Sequence, residues 1–178
     1  MLNTSPIRPV KLIIAVLFSH APAWRAAEQA LAAAFGPIDY FSPIFPFEKT
    51  EYYAAEMGVS IHRLFCSFEN LISPGELAAI KWQTHALERK VAQAGKRRVN
   101  LDPGYLDTDK FVLASTKYHG YKVYLAEGIW ADMTLHYEKG KFTAFPWSFP
   151  DFKDRRYERE FLHLRVLYKK QLRQINRA

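Results

Sequence analysis

The chain has 178 residues, 49% of them hydrophobic and 24% charged, with a formal charge of +7. A chain of this size buries roughly 70% of its unfolded surface, so the composition excludes a disordered chain and calls for no disulfide or metal staple. Its one cysteine, Cys66, excludes an intramolecular disulfide and a cysteine-based zinc site within one chain.

Residues 9–18 are a near-continuous apolar run, which predicts a strand covered on both faces. The run is shorter than the ~20 residues of a bilayer span, and no signal-peptide pattern surrounds it. Residues 22–35 predict a helix. Trp24, Ala27, Leu31 and Ala34/Phe35 fall at helical spacing, and Gly36-Pro37 stops it. A second strand is predicted over 38–42. Residues 43–60 are irregular and aromatic, with a helical turn expected at 51–57. A third strand covers 61–68, where Cys66 reads as a small buried core residue.

Ser73, Pro74 and Glu76 form a capping-box pattern, with Ile72 and Leu77 as a hydrophobic staple. They predict a helix over 71–94, turning Ile80, Thr84, Leu87 and Val91 inward. Short strands follow at 98–101, 111–116, 121–126, 129–137 and 141–145. Glu127-Gly128 reads as a two-residue hairpin turn, which would pair Leu125 with Trp130 and Val123 with Asp132. The segment Phe145-Pro146-Trp147-Ser148-Phe149-Pro150 leads into a last helix with the apolar stripe Tyr157, Phe161, Leu164, Tyr168, Leu172 and Ile175. Residues 152–178 hold nine Lys/Arg against three acids, so +6 of the +7 belongs to this helix.

The order β-α-β-β-α-β, then a β-meander and a long C-terminal helix, is α+β. The expectation is a single domain over 1–178. It has one mostly antiparallel sheet with helices on one face and a ferredoxin-like start.

Several stretches carry a family resemblance. The most distinctive is Arg97-Arg98-Val99-Asn100-Leu101-Asp102-Pro103-Gly104-Tyr105. Others are Pro9-Val10-Lys11-Leu12-Ile13, Phe35-Gly36-Pro37-Ile38-Asp39-Tyr40, Leu113-Ala114-Ser115-Thr116-Lys117 and Pro146-Trp147-Ser148-Phe149-Pro150-Asp151. On these the chain resembles an uncharacterised prokaryotic family, domain of unknown function family 4416. No activity, cofactor or site residue comes with the resemblance.

Two polar sets are candidates for a site. Strand alternation puts Arg98, Asn100 and Asp102 on one face, opposite Val99 and Leu101. Arg98 can hold a carboxylate or phosphate bidentately. Asp102 before Pro103-Gly104 reads equally as a turn residue, and Tyr105 follows. The second set is Trp130, Asp132, Thr134 and His136, opposite Ala131, Met133 and Leu135. If one sheet holds both strands, parity makes the two sets share a polar space, roofed by residues 145–150. Lys117 and His119, in the hairpin loop 117–120, can reach an anion or move a proton. His62 and His163 read as structural.

The chain contains no G-x-x-x-x-G-K-[ST], H-E-x-x-H, G-x-S-x-G or G-x-G-x-x-G motif and no His-x-Ser or His-x-Thr pair. The functional expectation is a cytoplasmic protein that binds a small anionic ligand, a nucleotide or a phosphorylated metabolite. The site is predicted at Arg98, Asn100, Asp102, Tyr105, Lys117, His119, Asp132 and His136. No metal ligands or catalytic roles are assigned, and cofactor and oligomeric state stay open. The alternative is a nucleic-acid-binding or assembly module using the basic helix. It requires Arg155, Arg159, Arg165, Lys169 and Arg173 to form one exposed stripe. Weak, non-specific nucleic-acid binding and no membrane partner are the remaining expectations.

Overall fold

In the computed structural model, which describes residues 5–48, 57–58, 60–92 and 95–175, β1 (Val10–Phe18) is buried along its whole length. That is the physical meaning of its near-continuous apolar run: both faces of the strand are covered. Leu12, Ile14, Val16 and Phe18 point to one core and Ile13 and Ala15 to another. The front core is closed by α1 (Ala21–Phe35), through Ala23, Trp24, Ala27 and Leu31, and by α2 (Leu77–Lys90), through Ile80.

β2 (Ile38–Phe41), β3 (Phe45–Pro46), β4 (His62–Ile72) and β5 (Val99–Leu106) join β1. β2, β4, β1 and β5 stand in that order, each antiparallel to its neighbour, with β3 on β4. Counting only the four long strands, this is the ferredoxin-like arrangement. The sheet continues with β6 (Lys110–Ser115), β8 (Ile129–Glu138) and β7 (Val123–Ala126), and β9 (Lys141–Ala144) pairs with β8. The fold is therefore α+β with one antiparallel sheet.

The helices do not share one face. α3 (Pro150–Lys153) and α4 (Glu158–Ile175) cover the back, where Phe152, Tyr157, Phe161, Leu164 and Tyr168 meet Ile13, Ala15, Phe65 and Phe111. The reason lies in β1 itself: a central strand apolar at every position but Lys11 leaves two faces to be buried. Ile175, at the end of the predicted stripe, is 52% exposed.

Two buried cations tie the back layer down. Lys11 Nζ donates to Asp39 (2.6 Å), to the Phe68 carbonyl and to Gln171 Oε1 (both 3.0 Å), linking β1 and β4 to α4. Burial lowers the pKa of Lys11 below the usual lysine range, against the opposing pull of Asp39. Arg63 pairs with buried Asp151, which also accepts from the Tyr157 hydroxyl.

Three local predictions change. The capping box stands, with the Ser73 N–H donating to Glu76 Oε2 at 2.7 Å. However, it opens a 3-10 turn, Pro74–Glu76, and the α-helix spans Leu77–Lys90 rather than 71–94. Asp102-Pro103-Gly104 is not a turn: β5 runs straight through it, paired to β1. Gly104 is needed there because a Cβ would lie 2.5 Å from the Val112 carbonyl and 2.8 Å from the Phe111 ring. The β7–β8 hairpin pairs Tyr124 with Trp130 and Val123 with Ala131, one residue off the predicted register, because the pairing shifts between Tyr124 and Ala126. The helical turn expected at 51–57 lies, apart from Met57, outside the described residues.

Candidate functional site

β5 bonds to β1 over eight residue pairs, from Lys11–Leu106 to Phe18–Val99, but to β6 over only three, Gly104–Leu113 to Leu106–Phe111. Past Gly104 the two strands part. A cleft of about 750 Å³ occupies the gap, lined by Asn100 and Asp102 of β5 and Leu113 to Ser115 of β6.

The open edge of β5 leaves backbone groups without a ladder partner, and buried backbone groups need one. α2 supplies it. Glu88, 2% exposed, accepts from the Leu101 N–H at 2.5 Å. Lys81 Nζ donates to the Leu101 carbonyl at 3.2 Å and to Asp102 Oδ1 at 2.8 Å. Asn100 Nδ2 donates to Asp102 Oδ2 at 2.6 Å, and Arg97 Nη1 donates to Asn100 Oδ1 at 2.7 Å. Side chains thus replace a missing strand.

The two carboxyls of this edge are shifted in opposite directions. Burial pushes Glu88 above the ordinary carboxylate range, with Lys81 and the Leu101 N–H opposing it. Burial also pushes Asp102 upward, but Lys81 and the hydrogen bonds from Lys81 and Asn100 hold it below the usual range.

The far wall comes from the meander. Lys122 Nζ lies 2.8 Å from Ser115 Oγ and 3.3 Å from Asp132 Oδ2. Asp132 is 6% exposed, and its Oδ1 has no hydrogen-bond partner among the described residues. Burial raises its pKa, with Lys122 and His119 opposing. Lys117, His119 and Tyr121 complete this wall, and Trp147 and Phe149 cover it.

The roof is held by a bulge. Val112 pairs with Met133 and Phe111 with Leu135, so Thr134 is the extra residue on β8. The Trp147 indole N–H donates to the Met133 carbonyl at 2.9 Å, and the Ser148 hydroxyl donates to the Thr134 carbonyl at 2.6 Å.

Asn100, Asp102, Lys117, His119 and Asp132 of the predicted site therefore meet on one cleft. Arg98, Tyr105 and His136 do not line it. Arg98 precedes Val99, the last residue of β5 paired to β1, and its carbonyl accepts from the Ser19 N–H. Tyr105 packs in the front with Leu77, Ala78 and Val112. His136 is separated from Asp132 by the Thr134 bulge, which inverts the alternation on which the parity argument rested. Its ring lies on Phe145.

Sequence reasoning missed Lys81, Glu88 and Arg97. A signal existed for the first two: Lys81, Thr84 and Glu88 recur at helical spacing beside the inward Ile80 and Leu87, and all three are buried. The stripe required for the nucleic-acid alternative is broken. Arg165 turns inward, donating to the Thr108 carbonyl at 2.8 Å and lying 3.6 Å from the Tyr137 ring centre. Among the described residues, no three His, Cys, Asp or Glu side chains gather to hold a metal ion. No described helix is long and apolar enough to cross a membrane.

Fold and cleft together define the class: an antiparallel α+β protein whose ferredoxin-like half is extended by a meander, with a polar cleft where the halves part. The chain belongs to the family described as domain of unknown function (DUF4416), whose model matches residues 8–168. No curated protein and no solved structure matches it.

Proposed function

We propose that the cleft binds a small anionic ligand, a nucleotide or a phosphorylated metabolite. The observation that carries this reading is the convergence of Lys81, Arg97, Lys117 and Lys122 with Trp82, Tyr121, Trp147 and Phe149 on one hollow of about 750 Å³. That volume suits a small molecule, and cations placed among aromatic walls are the usual composition of such sites. Three acids share the cleft. Asp102 is matched by Lys81 and Asp132 by Lys122. Glu88 accepts from the Leu101 N–H and pairs with Arg97 at 3.5 Å, so four cations face three acids. The local balance therefore favours an anion.

Lys117 is the cation to test. It is exposed, so replacing it disturbs packing little. The full chain is titrated with inorganic phosphate, ribose 5-phosphate and nucleoside monophosphates, with neutral ribose as control. Phosphorylated ligands are expected to raise Tm and ribose is not. Lys117→Ala is expected to weaken binding by about tenfold, the order of one charge-assisted hydrogen bond. A screen in which no phosphorylated compound binds, or in which Lys117→Ala binds as the parent does, defeats the reading.

A further inference from the structure

Four rings stack in near-parallel succession from the roof to the cleft. Phe145 and Trp147 are 4.9 Å apart at 8°, Trp147 and Tyr121 5.1 Å at 14°, and Tyr121 and His119 5.3 Å at 10°. Trp147 is fixed by its indole hydrogen bond to the Met133 carbonyl. The last three rings line the cleft. His119 is exposed and terminates the series, with Tyr121 as its stacked neighbour. A parallel stack that ends at a hollow presents a π face, which a flat ring completes and an aliphatic chain does not.

A second observation comes from Asp132 in the same wall. Its side chain is 8% exposed, Lys122 meets Oδ2, and Oδ1 lacks a donor among the described residues. It lines the same cleft as His119. A carboxylate in a cleft wall that is short of one donor is a place for a donor carried by the occupant, reached here by a small movement of the wall because Oδ1 itself is closed to solvent. A carboxylate there also repels phosphate, so the anionic end of a ligand belongs on Lys117 rather than beside Asp132.

Resting on the reading above, we infer that the ligand is a nucleoside phosphate. Its base stacks on His119 and gives an N–H to Asp132, and its phosphate lies on Lys117.

The test uses the full chain and calorimetric titration with AMP, GMP, CMP, UMP and ribose 5-phosphate. The best nucleotide is expected to bind about tenfold or more tightly than ribose 5-phosphate, the order contributed by one base–aromatic stack. Its analogue with the base donor removed is expected to lose part of that margin. Examples are purine riboside 5′-monophosphate for AMP and 3-methyluridine 5′-monophosphate for UMP. His119→Ala is expected to bring the nucleotide down to the ribose 5-phosphate level, and His119→Phe to restore it. If ribose 5-phosphate binds as tightly as every nucleotide, or His119→Ala leaves the margin intact, the base inference is overturned and the anion site stands. If none of these phosphates binds, both fall.

Discussion

The two edges of β5 are built differently. On the β1 side it carries an eight-pair ladder between apolar faces, and nothing polar is required of its side chains. On the β6 side the ladder stops after three pairs, and Glu88, Lys81, Asn100 and Arg97 take over. A closed ladder satisfies the backbone with backbone and leaves no room for a ligand. An interrupted one needs polar side chains, and those same side chains become the wall of a cleft. The split between β5 and β6 therefore serves the architecture and the site together.

The strongest way to break this comparison is to remove the substitute for the missing strand. Glu88→Ala leaves the buried Leu101 N–H without its acceptor and Arg97 without the carboxylate it pairs with, and is expected to cost about 3 kcal/mol. Glu88→Gln keeps an acceptor for the N–H and is expected to cost clearly less. Urea unfolding of the two variants measures the difference. Equal, small losses would mean that Glu88 does not staple the edge.

A smaller effect is expected where the ladder still holds. Gly104→Ala drives a methyl group into the Val112 carbonyl and the Phe111 ring, at the first of the three remaining pairs. The expected cost is about 2 kcal/mol. It should be accompanied by faster amide exchange in β6 than in β1, and wild-type exchange in both strands would argue against it.

The smallest effect sharpens the comparison through pH. Asp102 has a lowered folded pKa, so it adds stability above the ordinary Asp value near 3.9 and loses it as acidification passes toward the folded value. Glu88 is raised, so acidification relieves it instead. Asp102→Asn removes the Asp102 titration, at the cost of the Lys81 ion pair at every pH. The fall of the urea midpoint from about pH 5 downward should become shallower in this variant than in the parent. An unchanged or steeper slope would contradict the assignment of the stabilising shift to Asp102.

Much of the fold was legible locally. The apolar run at β1, the Trp24/Ala27/Leu31 spacing, the Ser73–Glu76 box and the Gly128 and Gly140 turns are signals carried by neighbouring residues, and the elements form where those signals lie. Five residues that line the cleft were legible as well, Asn100, Asp102 and Asp132 from strand alternation and Lys117 and His119 from the hairpin loop. Arg98 and His136 failed for a definite reason: parity holds only while the ladder is regular. Arg98 lies beyond its end, and the Thr134 bulge reverses it for His136. Glu88 and Lys81 escaped notice because their partner, the open edge of β5, is distant in sequence.

By itself the sequence determined the order of elements, the α+β class and the apolar faces, since periodicity and capping act within one turn or one strand. The tertiary structure alone decided that α4 covers the back of the sheet, that β5 leaves β6 after three pairs, and that Thr134 bulges. Each of these depends on how distant surfaces fit. One added residue inverts an alternation of period two, and no local pattern records which of two apolar faces a later helix will fill.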